Sequence, residues 1–131
     1  MAITVNSKKK QVKKSFQELI NDLMSSSSEK VRYNAARVLG EMGDSKAVEP
    51  LINVLKNDKN GSVRLYAARA LGELGDSKAT EHLIESLRED RNVDVRVRAA
   101  RALGRLGGKI VVEPLVEALN DENSQVCITA T

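Results

Sequence analysis

Aromatic residues are almost missing from this chain: no tryptophan, one phenylalanine and two tyrosines among 131 residues. A core with so few rings must be built from Leu, Val, Ile and Ala, as stacked helices are. The single cysteine, Cys127, excludes an intramolecular disulfide and a cysteine-based zinc site, and it favours a reducing, intracellular setting. The single histidine, His82, has no partner in the pattern that could support general acid–base work, so it reads as a solvated surface residue. No apolar run approaches the roughly 18 residues of a membrane span. The lysine-rich start lacks the apolar segment of a secretory signal. No glycine-rich phosphate loop, nucleophile elbow or metal-ligand spacing is present. The expectation is a soluble, cytoplasmic, non-enzymatic protein without a cofactor.

The net charge of +3 is localised. Residues 1–30 hold six lysines against three acids, whereas residues 31–131 hold fifteen basic and fifteen acidic residues. The excess belongs to an N-terminal arm, residues 1–11, expected to be disordered. Lysines on such an arm can attract phosphate or acidic surfaces, but a solvated end is the commoner case.

What the chain does have is a repeat. VRYNAARVLGEMGD at Val31 returns as VRLYAARALGELGD at Val63 and VRVRAARALGRLGG at Val95, and a fourth copy starts at Val126. The intervals are 32, 32 and 31 residues. A fixed period in this range marks a solenoid. Each unit reads as two helices. In the first, Val31, Ala35, Val38, Leu39 and Met42 share one face, and Gly40, Gly72 and Gly104 recur inside the helix. An internal glycine costs roughly 1 kcal/mol relative to alanine, so close approach of a neighbouring helix is the expected reason. Gly43, Gly75 and Gly107 sit just past each helix end, where a left-handed residue closes the last turn. Asp44-Ser45 and Asp76-Ser77 follow as candidate caps, a rule that Gly108-Lys109 breaks. The second helix reads AVEPLINVLKND, ATEHLIESLRED and VVEPLVEALNDE, with Pro50 and Pro114 in the first turn, where a missing amide proton costs little.

The spacing predicts helices over 12–24, 29–42, 46–57, 61–74, 78–90, 93–106 and 110–120, and no segment alternates as a half-buried strand does. One period earlier than Val48, Leu51, Ile52 and Leu55 stand Phe16, Leu19, Ile20 and Leu23, so the opening helix is the outer helix of the first repeat, adapted as an N-terminal cap. The predicted fold is all-α, an α-α superhelix of about three and a half helical hairpins. It forms one domain over 12–131, in units 12–44, 45–76, 77–108 and a partial 109–131.

These motifs resemble HEAT repeats of the short, phycocyanobilin-lyase type, whose pattern is V-R-x-x-A-A-x-x-L-G-x-x-G-D followed by A-V-E-P-L-I. The resemblance covers residues 12–131. It implies that the V-R helices line a concave face and the E-P-L helices a convex one. It also implies that each Arg after the Val pairs with an acid of the preceding loop: Asp58 stands six residues before Arg64, and Asp90 six before Arg96. Arg32, Arg64 and Arg96 are therefore expected to be structural, with Cys127 ending the series. Some relatives are enzymes. Bilin lyases attach or remove tetrapyrroles, and deoxyhypusine hydroxylase holds two irons through His-Glu pairs between V-R and A-A. Here those positions are Tyr33-Asn34, Leu65-Tyr66 and Val97-Arg98, which cannot supply that ligand set.

The implied function is a non-catalytic scaffold that binds a protein through its concave face. Its candidate contact residues are Tyr33, Arg37, Leu65, Tyr66, Arg69, Val97, Arg98, Arg101 and Arg105. Tyrosine is enriched among interface anchors, although Tyr33 and Tyr66 also suit packing against an adjacent repeat. Arg37–Glu41 and Arg69–Glu73 are each four apart and can neutralise themselves. Arg98, Arg101 and Arg105 line one face with no acid of their own. They suit an acidic partner or a phosphate group, or else form a solvated face balanced by Glu73. The alternative function is a subunit or fragment of a bilin-lyase-like enzyme or other enzyme complex. Nucleic acid is a weaker reading, since base-stacking aromatics are few. The ending near Thr131 leaves Leu115, Leu119 and Val126 partly open, which favours a longer array or self-association there.

Overall fold

The computed structural model describes residues 14–107, 112–119 and 121. The arm 1–11, Val12, Gly108-Lys109 and Cys127 lie outside these, and so does the fourth copy from Val126. Seven α-helices follow one another among the described residues: α1 Phe16–Ser25, α2 Glu29–Met42, α3 Val48–Asn57, α4 Gly61–Leu74, α5 Thr80–Glu89, α6 Val93–Leu106 and α7 Val112–Ala118. Single 3-10 turns, Ser45–Ala47 and Ser77–Ala79, lead into α3 and α5.

Local chemistry sets these limits. Helix α1 starts at Phe16 rather than at the expected residue 12, because Ser15 and Glu18 form a reciprocal capping box. Asn60 and Asn92 cap α4 and α6, each accepting from two backbone amides. Asp44 and Asp76 accept from the amides of Lys46 and Lys78 and so cap the 3-10 turns. Gly43 and Gly75 close α2 and α4 in the left-handed region, as expected. Gly107 shares the positive φ of 68° but has ψ −165°, so α6 ends without the same left-handed closure.

The helices form two layers. In one, α2, α4 and α6 lie close side by side; in the other, α1, α3 and α5 each pack mainly on the V-R helix that follows, and α1, α3, α5 and α7 touch one another little. The reason is side-chain size. Ala35, Ala36, Ala67, Ala68, Ala99 and Ala100 are buried in the first layer, whereas Leu51, Ile52, Leu55, Leu83, Ile84 and Leu87 fill the second. The closely packed V-R helices are the layer for which the resemblance implies the inner face. Leu39, Leu71 and Leu103 are fully buried at one level of successive repeats, each contributing about 1.5–3 kcal/mol by burial. Met42, expected on the core face of α2, is instead 46% exposed.

The interior glycines divide. A Cβ on Gly40 would stand 2.8 Å from the Cα of Ala70, and one on Gly72 would stand 3.0 Å from the Cα of Ala102. Both glycines are therefore required by the neighbouring helix. At Gly104 no described atom lies within 4 Å of that position.

The V-R arginines are structural but pair in a different direction from the one expected. Arg64 Nε and Nη2 donate to Asp90, in the loop after α5, at 2.9 and 3.1 Å; its Nη1 donates to the backbone carbonyl of Asp58 at 2.9 Å. Arg32 does the same with Asp58 and the carbonyl of Ser26, and Arg96 with Asp121 and the carbonyl of Asp90. Each guanidinium thus takes the carboxylate of the following loop and a carbonyl of the preceding one, joining two loops across a repeat boundary. Pairing with Asp58 raises the Arg32 guanidinium above its ordinary value, against the opposing effect of burial. The same carboxylates accept from the amides of Asn60 and Asn92, which ties each staple to the next helix cap.

Candidate functional site

The second turns of α2, α4 and α6 carry the variable residues Tyr33, Leu65, Tyr66, Val97 and Arg98. Tyr33 of α2 and Tyr66 of α4 stack on each other, with ring centroids 5.2 Å apart and planes 15° from parallel. Both are half-buried and pack on the core, as do Leu65 and Val97. The tyrosines therefore form an inter-repeat contact that keeps an exposed edge. The stack falls into the offset geometry that aromatic quadrupoles favour.

The arginines separate by repeat. Arg37 donates to Glu41 at 3.1 Å, and Arg69 lies 3.5 Å from Glu73. One repeat further on, Arg98, Arg101 and Arg105 of α6 meet Arg69 and Glu73 of α4 around a cleft of about 270 Å³, floored by Gly72 and Ala102. Burial pushes the Arg98 guanidinium below its ordinary value; Arg101 and Arg69 push the same way, while Tyr66 and Glu73 oppose them. All four arginines belong to the predicted set. The part played by Gly72, Ala102 and Glu73 as floor and counter-charge emerges only when α4 and α6 are placed side by side. The larger hollow, about 540 Å³ at the loop edge between α3 and α5, is lined by Arg64, Asp58 and Asp90, which are already joined in the staple.

Catalytic geometry is another matter. His82 is half-buried on α5, where its backbone carbonyl accepts from Ser86 Oγ, and among the described residues no hydrogen bond reaches its imidazole. No group of three or more His, Cys, Asp or Glu among the described residues could hold a metal ion. The positions between V-R and A-A hold a stacked tyrosine pair and a guanidinium, a donor set unfit for iron. No described helix is long and apolar enough to cross a membrane.

Two layers of helical hairpins, repeated with a fixed register and stapled at every boundary, define an α-solenoid. The chain belongs to the HEAT-repeat family, whose model matches residues 16–96 and again 80–131. Among solved structures it is similar to the complex of CpcE and CpcF of phycocyanin lyase from Nostoc sp. PCC7120, at 32% identity and a TM-score of 0.77, over 86% of this chain and 44% of that one. It is also similar to human deoxyhypusine hydroxylase in complex with glycerol, at 23% identity and a TM-score of 0.76, over 91% of this chain and 42% of that one. An engineered protein matches at 24% identity and a TM-score of 0.71, over 90% of this chain and 60% of that one. The last two likenesses show the fold alone. The chain thus spans less than half the length of the lyase and hydroxylase chains it resembles. No match is found among curated proteins.

Proposed function

We propose that this chain is a non-catalytic HEAT-repeat scaffold that binds a protein partner through the inner face of α2, α4 and α6. One observation carries the reading: the variable positions of that face gather an exposed-edged tyrosine stack and an arginine-lined cleft. Aromatic residues and arginine are the types that anchor protein interfaces. The similar lyase structure is itself a complex of two proteins, which supports the same reading. Capture by the immobilised chain tests it, with a parallel variant carrying Tyr33→Ala, Tyr66→Ala and Arg98→Ala. A partner retained by the parent and lost by the folded variant supports the inner face; equal retention removes the site from it.

The second reading is a subunit of a bilin-lyase-like enzyme complex, favoured by the 32% identity to the phycocyanin lyase structure. It predicts a shifted visible absorbance when the protein is mixed with a linear tetrapyrrole. An unchanged spectrum at saturating pigment counts against it.

A further inference from the structure

We propose that the cleft between α4 and α6 is an oxyanion site that takes a phosphate monoester, carried on a side chain of the protein bound to the inner face. The protein-borne source rests on the scaffold reading above; the anion chemistry of the cleft stands without it.

The two inter-repeat seams make the case when compared position by position. At the α2–α4 seam, Tyr66 stacks on Tyr33, Arg37 is paired with Glu41, and Glu73 lies over Gly40. At the α4–α6 seam, Arg98 stands at the place of Tyr66, and Arg105 at the place of Glu73, lying over Gly72. Arg101 repeats Arg69, but the residue four further on is now Arg105 rather than an acid. The same backbone frame therefore changes from a balanced seam to one where four guanidiniums from two helices face one carboxylate.

That carboxylate is engaged: Glu73 lies 3.5 Å from Arg69. Among the described residues Arg98, Arg101 and Arg105 form no ion pair or hydrogen bond with a carboxylate, and Arg98 is the partly desolvated member. An anion seated among them relieves like-charge repulsion and replaces lost hydration at once. Three formal positive charges in excess suit a dianion better than a single carboxylate, and guanidinium forks match tetrahedral oxyanions through paired hydrogen bonds. Gly72 and Ala102 give the floor its depth by lacking bulk. At about 270 Å³ the cleft is below the roughly 300–1,000 Å³ of sites for whole drug-sized ligands. It fits a group, not a complete cofactor.

Arginine Nε–Hε resonances of the isotopically labelled full chain would be followed during titration with phenyl phosphate, inorganic phosphate, a phosphoserine peptide and its glutamate counterpart. The expected result is saturable shifts at Arg98, Arg101 and Arg105, with affinity falling by at least about tenfold in Arg98→Gln/Arg101→Gln. Arg105→Gln, at an exposed position, gives the same test should the double variant lose its helical signal. Phosphopeptide binding tighter than inorganic phosphate supports the protein-borne source; the reverse order overturns that source and leaves a free-phosphate site. Unchanged affinity in a folded variant, or shifts spread over the surface cations, overturns the cleft itself. A partner captured equally by parent and Arg98→Gln/Arg101→Gln would overturn this proposal while leaving the scaffold reading standing.

Discussion

Replacing Arg64 by alanine should destabilise the protein more than replacing any exposed arginine. Arg64 makes four hydrogen bonds: two to the Asp90 carboxylate and two to the carbonyls of Asp58 and Lys59. Both side chains of the ion pair are only 8% exposed. Removing one partner of a buried pair costs about 3–5 kcal/mol, because the other charge is left without compensation. Two features place Arg64→Ala at the lower end. Asp90 keeps the Asn92 amide as a donor, and the hollow beside the pair admits water to the truncated site. The expected loss is therefore about 3 kcal/mol, against less than about 1 kcal/mol for Arg37→Ala, whose pair with Glu41 is 40% and 53% exposed. Urea unfolding followed by far-ultraviolet circular dichroism measures both. The cycle with Asp90→Ala should return a coupling of about 2 kcal/mol. An Arg64→Ala loss below about 1 kcal/mol, or no coupling, would refute the view that these staples hold the repeats in register.

Gly40→Ala and Gly72→Ala should each cost about 1–3 kcal/mol through clash with Ala70 and Ala102, outweighing the gain in helix propensity. Gly104→Ala, with no described atom in reach, should be neutral or stabilising by up to about 1 kcal/mol; thermal melts of the three variants decide it. Asn60→Ala and Asn92→Ala remove side-chain caps from α4 and α6 and should each cost about 1 kcal/mol in the same assay. Tyr66→Ala should lose about 0.5–1.5 kcal/mol of stacking beyond the area it uncovers. Near-ultraviolet dichroism, dominated by Tyr33 and Tyr66 in a chain without tryptophan, should report the loss.

The period of 32 residues made most of the architecture readable, because every unit repeats the same apolar stripe and the same glycines. Helix limits depart from the apolar stripe where a cap decides them. Ser15 and Glu18 stand at the capping-box spacing, and that pair, not the apolar Val12, starts α1. The staple follows a downstream spacing, not the upstream one that the resemblance implies. An acid six residues upstream exists for Arg64 and Arg96, but Arg32 has Ser26 there. An acid 26 residues downstream serves both Arg32 and Arg64, and Arg96 finds its own at 25. That rule was present in the sequence, but only hairpin closure shows why it holds: the end of α3 or α5 returns beside the start of the helix before it. The arginines of α6 were legible as an unneutralised row. Their convergence with Arg69 was not, since it depends on the spacing between two helices that Gly72 and Ala102 permit.

The most direct test compares charge reversal on the two layers. Arg98→Glu/Arg101→Glu alters the inner face, and Lys56→Glu/Arg88→Glu alters exposed residues of α3 and α5. Affinity for the captured partner would be measured for both by surface plasmon resonance. The scaffold reading predicts a loss of at least about tenfold for the inner pair and no change for the outer pair. Undiminished binding by both the inner variant and Tyr33→Ala/Tyr66→Ala, or loss confined to the outer one, would contradict it.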